Sequence, residues 1–187
     1  GRAVACDMKS YYIAPLKVSR GSRMQAWLVS GALVAGLFAA TGAAGQSIAL
    51  TGLAGETAQL SAADIAALPH QAVTLQLEGK TEPCDAVPLS LILAKVGAPQ
   101  GKALRGPEMA DVIEVGAADG YHVALALAEA DSLMRGEDQL FLADRCAGAP
   151  MAPPEGPFRL VVIGDKRPAR SARQVTSITL LRLPSRP

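Results

Sequence analysis

The sequence predicts a mixed α+β domain, mostly strands with short helices between them. Two observations carry this. Apolar runs of strand length, bounded by Gly, Pro and Asp, follow one another through residues 46–187. The helical patterns among them are short, whereas a doubly wound parallel fold needs longer crossover helices. A chain of 187 residues, half of them apolar, is long enough for one domain with a core but not comfortably for two.

Taken in order, residues 47–53 form a short strand candidate. SAADIAALP reads as a small helix with Ser61 as N-cap, closed by Pro69. AVTLQLEG alternates, with Val73, Leu75 and Leu77 on one face and Thr74, Gln76 and Glu78 on the other, as a half-buried strand does. PLSLILAKVG places Leu89, Ile92, Leu93 and Val96 at helical spacing between Pro88 and Gly97, which predicts an amphipathic helix lying on a sheet. DVIEVGAADGYHVALAL predicts a hairpin turning at Ala118, Asp119 and Gly120. A helix over 127–134, ended by Gly136, leads into the strand QLFLA. ADRCAGAPMAPPEGP reads as a loop because of its prolines. FRLVVIG and QVTSITLLRL are the last strands, and the tail SRP reads as loose.

Residues 1–45 read as a leader. AWLVSGALVAGLFAA, within an apolar region over 24–40, follows Lys9, Lys17, Arg20 and Arg23 and precedes small residues, the order of a secretory signal peptide. Cleavage is expected near Ala44 or Gly45, with Met8 and Met24 as candidate starts. The alternative is a retained membrane anchor, since Met24 to Ala44 is about long enough to span a bilayer. The expected location is therefore periplasmic or secreted, with membrane attachment only through an uncleaved leader. Residues 46–187 form the single domain. They carry 13 Lys and Arg against 16 Asp and Glu, a balance not built for nonspecific nucleic-acid binding.

Without the leader, Cys84 and Cys146 remain, an even pair in an oxidising compartment. Two readings stand: two unpaired thiols in two loops, or a disulfide that closes roughly 60 residues and stabilises by about 4 kcal/mol.

Acid–base chemistry is poorly supplied. His70 and His122 fall on separate elements and read as ordinary imidazoles; Glu108, Asp111 and Glu114 read as solvated faces. No nucleophile elbow, phosphate-cradling Gly-Lys-Ser run or HExxH site occurs, and the cysteines lack zinc-knuckle spacing. The exception is the basic segment from 156 to 181, with Arg159, Lys166, Arg167, Arg170 and Arg173 between two apolar runs. Gly164 lets the main chain approach a ligand, and Arg170 and Arg173, three apart, suit a phosphate or other anion. A merely solvated loop is the other reading.

These residues resemble a known family. FRLVVIGDKRPARSARQVTSITL, with DGY at 119–121, LFLAD at 140–144 and VPLSLILAKVG, is similar to the oxidoreductase molybdopterin-binding domain of the sulfite oxidase family, from about Leu68 to Leu183. The resemblance implies a sulfite-oxidase-like molybdopterin-binding fold, a pterin cofactor and oxidoreductase ancestry. EGPFR puts Gly156 and Arg159, the turn at Ile163 puts Gly164, and ARSAR puts Arg170 and Arg173 at positions that hold the pterin and its phosphate in that family. It also implies Tyr121 near the substrate. Where the family's catalytic members carry the molybdenum-ligating cysteine, this chain reads LQLEGK, with Leu77 at the ligand position. Leucine cannot coordinate a metal, so molybdenum is not expected; Cys84 is the one remote substitute, reachable only if the shortened loop folds back. Two functions follow: an exported molybdopterin oxidoreductase, or a metal-free module that binds a small anion or a periplasmic partner protein.

Overall fold

The structure is a computed structural model and describes residues 46–184. Residues 1–45, where the sequence predicts a leader, and the last three residues lie outside the described residues. Among the described residues, ten strands form two sheets, with three short α-helices and several 3₁₀ turns between them. In chain order the strands are β1 (Ser47–Thr51), β2 (Thr57–Ser61), β3 (Gln71–Leu77), β4 (Lys80–Pro88), β5 (Val112–Ala117), β6 (His122–Ala126), β7 (Leu140–Cys146), β8 (Ala149–Pro150), β9 (Arg159–Val162) and β10 (Val175–Leu181). The helices are α1 (Ala62–Ala66), α2 (Leu89–Leu93) and α3 (Ser132–Arg135).

The first sheet runs β2-β1-β10-β5-β6; the second runs β3-β4-β7-β8, with β9 also pairing β7. Only β1 and β10 pair in parallel among the described strands; the other pairs are antiparallel. The mixed α+β class predicted by the sequence is the class observed.

Local chemistry explains the elements. Ser61 caps α1 reciprocally: the Asp64 amide donates to Ser61 Oγ at 3.2 Å, and the Ser61 amide donates to Asp64 Oδ2 at 2.8 Å. The hydrogen bonds from Ser61 hold the Asp64 carboxyl below its usual range. α2 continues into a 3₁₀ turn ending at Gly97 and buries Leu89, Ile92, Leu93 and Val96. Each such side chain contributes about 1.5–3 kcal/mol of burial, which offsets the weakness of so short a helix. The 127–134 helix is split: a 3₁₀ turn ends at Ala130, and Asp131 caps α3 by accepting the Leu133 amide at 2.8 Å.

Three expectations are corrected. The first is β4, which was not expected because Thr81, Glu82, Pro83 and Asp85 interrupt the apolar pattern. Pro83 gives no N–H to a ladder but still accepts from Ala147 at 2.8 Å. Secondly, the Pro-rich loop starts later than expected. β7 runs on to Cys146, then turns tightly through Ala147 and Gly148, both at positive φ, into β8. Lastly, Asp111 is no solvated carboxylate. It is buried, and Arg182 donates to its two oxygens at 3.0 and 2.9 Å, which raises the arginine's pKa and ties the chain after β10 to the start of β5.

The main core lies between the sheets. Alternation gives the second sheet two apolar faces: Leu140, Leu142, Leu160 and Val162 point into the main core, whereas Phe141, Ala143 and Val161 join Leu75, Cys84, Ala86 and Cys146 on the opposite face. Arg159 shares the parity of Val161, so β9 delivers it to this second face. That face carries the candidate site.

Candidate functional site

A cleft of about 480 Å³ opens on the second face of the β3-β4-β7-β8 sheet. Its apolar wall is Leu75, Leu77, Met151 and Cys146; its polar rim is Glu78, Lys80, Glu82, Glu155 and Arg159. Leu77 and Lys80 face each other across the two-residue turn that joins β3 to β4. Leu77, the position singled out by the resemblance, therefore lines the same cleft as Arg159.

Cys84 and Cys146 are register partners on β4 and β7 and form a disulfide. Of the two readings left open by the sequence, the bridge is the one observed, and the cysteines lie on strands. Both are buried and Cys146 reaches the cleft wall. With both sulfurs in the bridge, neither offers the thiolate that a soft metal needs. Among the described residues, no three His, Cys, Asp or Glu side chains are grouped to hold a metal ion. The donor set of leucine and bridged cysteines does not fit molybdenum.

Arg159 is the charged centre of the cleft. Its side chain is only 7% exposed, and Nη1 donates to Glu155 Oε2. Its Nε is buried with no hydrogen-bond partner. Burial pushes the Arg159 pKa down, and the adjacent Glu155 carboxylate pulls it back up. The other oxygen of Glu155 accepts from Arg173 Nη1 at 3.2 Å. Arg159 and Arg173 thus converge on one carboxylate.

Glu155 is delivered by a held turn. Its amide donates to Ala152 O at 3.1 Å and its carbonyl accepts from the Gln174 amide at 3.4 Å. Next to it, Gly156 packs so closely on Met151 that an added Cβ would lie 2.5 Å from the Met151 carbonyl oxygen. No other residue fits there without moving the turn.

Arg170 is held elsewhere. Nε and Nη2 donate to Asp165 at 2.9 and 2.6 Å, and Nη1 donates to Glu129 at 3.1 Å. The Asp165 hydrogen bonds raise its pKa further. Gly164, at φ 87°, turns the chain out of β9 toward Asp165. Tyr121 donates from its hydroxyl to Ala169 O at 2.8 Å, beside Arg170. Lys166 and Arg167 are exposed. The predicted residues therefore divide into two groups: Arg159 in the cleft wall, with Gly156 and Arg173 joined to it through Met151 and Glu155, and Gly164, Arg170 and Tyr121 at the basic loop.

Each histidine has partners of its own. His70 meets Leu68 O at 2.7 Å and Asp144 at 3.2 Å, and His122 meets Glu114 at 3.1 Å. Sequence reasoning missed Glu155, Lys80 and Glu82. The signal for the last two was Glu78-Gly79, a two-residue hairpin turn directly after an alternating strand.

No protein-family model matches the chain, and no curated protein matches it in sequence. Among solved structures it is similar to the sulfane dehydrogenase SoxCD from Paracoccus pantotrophus, with a TM-score of 0.56 and 17% identity. The match covers 73% of this chain but 38% of that one, so the chain spans little more than a third of its neighbour's length. The likeness is one of fold: this mostly-β domain is built on an architecture that a sulfane dehydrogenase also uses.

Proposed function

We propose that the chain is an exported, sulfite-oxidase-like molybdopterin-binding-domain protein that serves as a metal-free binding module for a small anion. One observation carries the reading. The cleft that holds Arg159 is lined by Leu77, to which the resemblance gives the metal-ligand position, and by Cys146, whose sulfur is taken up in a disulfide. In this reading Arg159 and Arg173 grip the anion, Gly156 keeps the turn beside them, and the Gly164–Arg170 loop with Tyr121 braces the neighbouring surface. A buried guanidinium with an unused N–H has donor capacity for an anionic group.

A second reading, a molybdopterin oxidoreductase with Tyr121 near its substrate, is favoured by the fold shared with a sulfane dehydrogenase. The two separate on one measurement. Protein purified from an exporting, molybdenum-replete host is assayed for bound metal and for the fluorescence of oxidised pterin. The module reading expects neither, under conditions that load a known molybdenum enzyme. Stoichiometric molybdenum and pterin would overturn it.

A further inference from the structure

Arg159 is under-used by its own partner. A guanidinium meets a carboxylate best through two parallel N–H bonds. Here Glu155 gives one oxygen to Arg159 and the other to Arg173, and Nε of Arg159 is left without an acceptor. The tether explains the mismatch, because the Glu155 backbone is fixed at Ala152 and Gln174. Its side chain is 43% exposed, so it can swing outward while the turn stays in place.

The charge around the cleft restricts what could take its seat. Glu78, Glu82 and Glu155 face Lys80 and Arg159. A dianion would meet more repulsion from these carboxylates than a monoanion would. Beside the charged rim lie Leu75, Leu77 and Met151, an apolar wall with no use for a compact inorganic ion.

We propose that the Arg159 cleft takes a small monocarboxylate with an apolar tail, and that Glu155 is a tethered competitor which the ligand displaces. The proposal rests on the metal-free anion module and specifies its ligand class. The incoming carboxylate forms the two-bond fork with Arg159 that Glu155 cannot, and its tail covers Leu77 and Met151. Removing Glu155 removes a competitor held at high local concentration.

The test is an NMR titration of the wild-type protein and Glu155→Ala with hexanoate, 1-hexanol and inorganic phosphate. Hexanoate is expected to bind Glu155→Ala about tenfold tighter than wild type or better, as loss of a tethered competitor implies. Hexanol should be silent and phosphate weaker than hexanoate. Arg159→Lys in the Glu155→Ala background keeps the charge, loses the fork, and should erase the gain. Glu155→Gln, which keeps the volume and drops the charge, replaces Glu155→Ala if that variant does not melt cooperatively. Equal hexanoate affinity with and without Glu155, or phosphate binding tighter than hexanoate in an Arg159-dependent way, would overturn the carboxylate assignment and leave the anion module standing. Absence of any Arg159-dependent anion binding would overturn both.

Discussion

Arg159 and Arg170 sit on the same stretch of chain and are held in opposite ways. Arg170 is partly exposed, and each of its three nitrogens donates to a carboxylate of Asp165 or Glu129. Arg159 is buried, has one hydrogen-bonding carboxylate, and leaves a buried N–H unused. A guanidinium near solvent with all three nitrogens paired acts as a brace between the basic loop and Glu129. An under-saturated one in a cleft keeps donor capacity that costs stability unless something accepts it. Counting cations in the sequence cannot distinguish these two roles.

The contrast can be tested from its strongest support downward. Cys84→Ala with Cys146→Ala removes the bridge behind the Arg159 cleft and should cost about 4 kcal/mol, the chain-entropy value for a loop of this span. Urea denaturation measures the loss, and hydrogen exchange should place the loosening in β4 and β7 rather than around Arg170. Glu155→Ala leaves Arg159 buried without its hydrogen-bonded carboxylate. After allowing for the exposure of Glu155, about 2 kcal/mol should be lost in the same assay.

Arg170→Ala should cost less, about 1 kcal/mol, because solvent screens a partly exposed pair. It should also leave hexanoate binding unchanged, and a matching loss of binding would merge the two arginines into one site. The smallest effect lies far from both. The lowered Asp64 pKa contributes stability that is complete above its ordinary value of 3.8 and lost as pH falls through the lower folded value. Asp64→Asn should therefore flatten the acid limb of the stability curve below that pH and leave neutral stability near that of an ordinary cap change.

The sequence made the fold class and most elements legible because their signals are local. Alternation marked β3, the Ser61 cap marked α1, and Asp119-Gly120 marked the β5–β6 turn. β4 escaped because its stability comes from neighbours on both sides, which overrides the local penalty of Pro83. The site was legible only in part. Gly156 and Arg159 entered through the family resemblance that EGPFR carries, and the cysteine pair through its even count. Glu155 carried no signal, since a glutamate in a Pro-rich turn looks like any solvated charge. Asp111 misled for the same reason, because only the fold reveals that Arg182 reaches back to cover it.

The pairing of β1 with β10 sets an order for biosynthesis. β10 lies at the centre of the first sheet, between β1 and β5. A chain emerging from its N-terminal side makes β1 early but cannot join it to β5 until residues 175–181 appear. Until then β1 and β5 each present an open edge, the kind of surface that invites pairing with other chains. The first sheet therefore cannot be complete before β10 is made, and a nascent chain stopped before Val175 should be a client for chaperones rather than a shorter version of the folded domain.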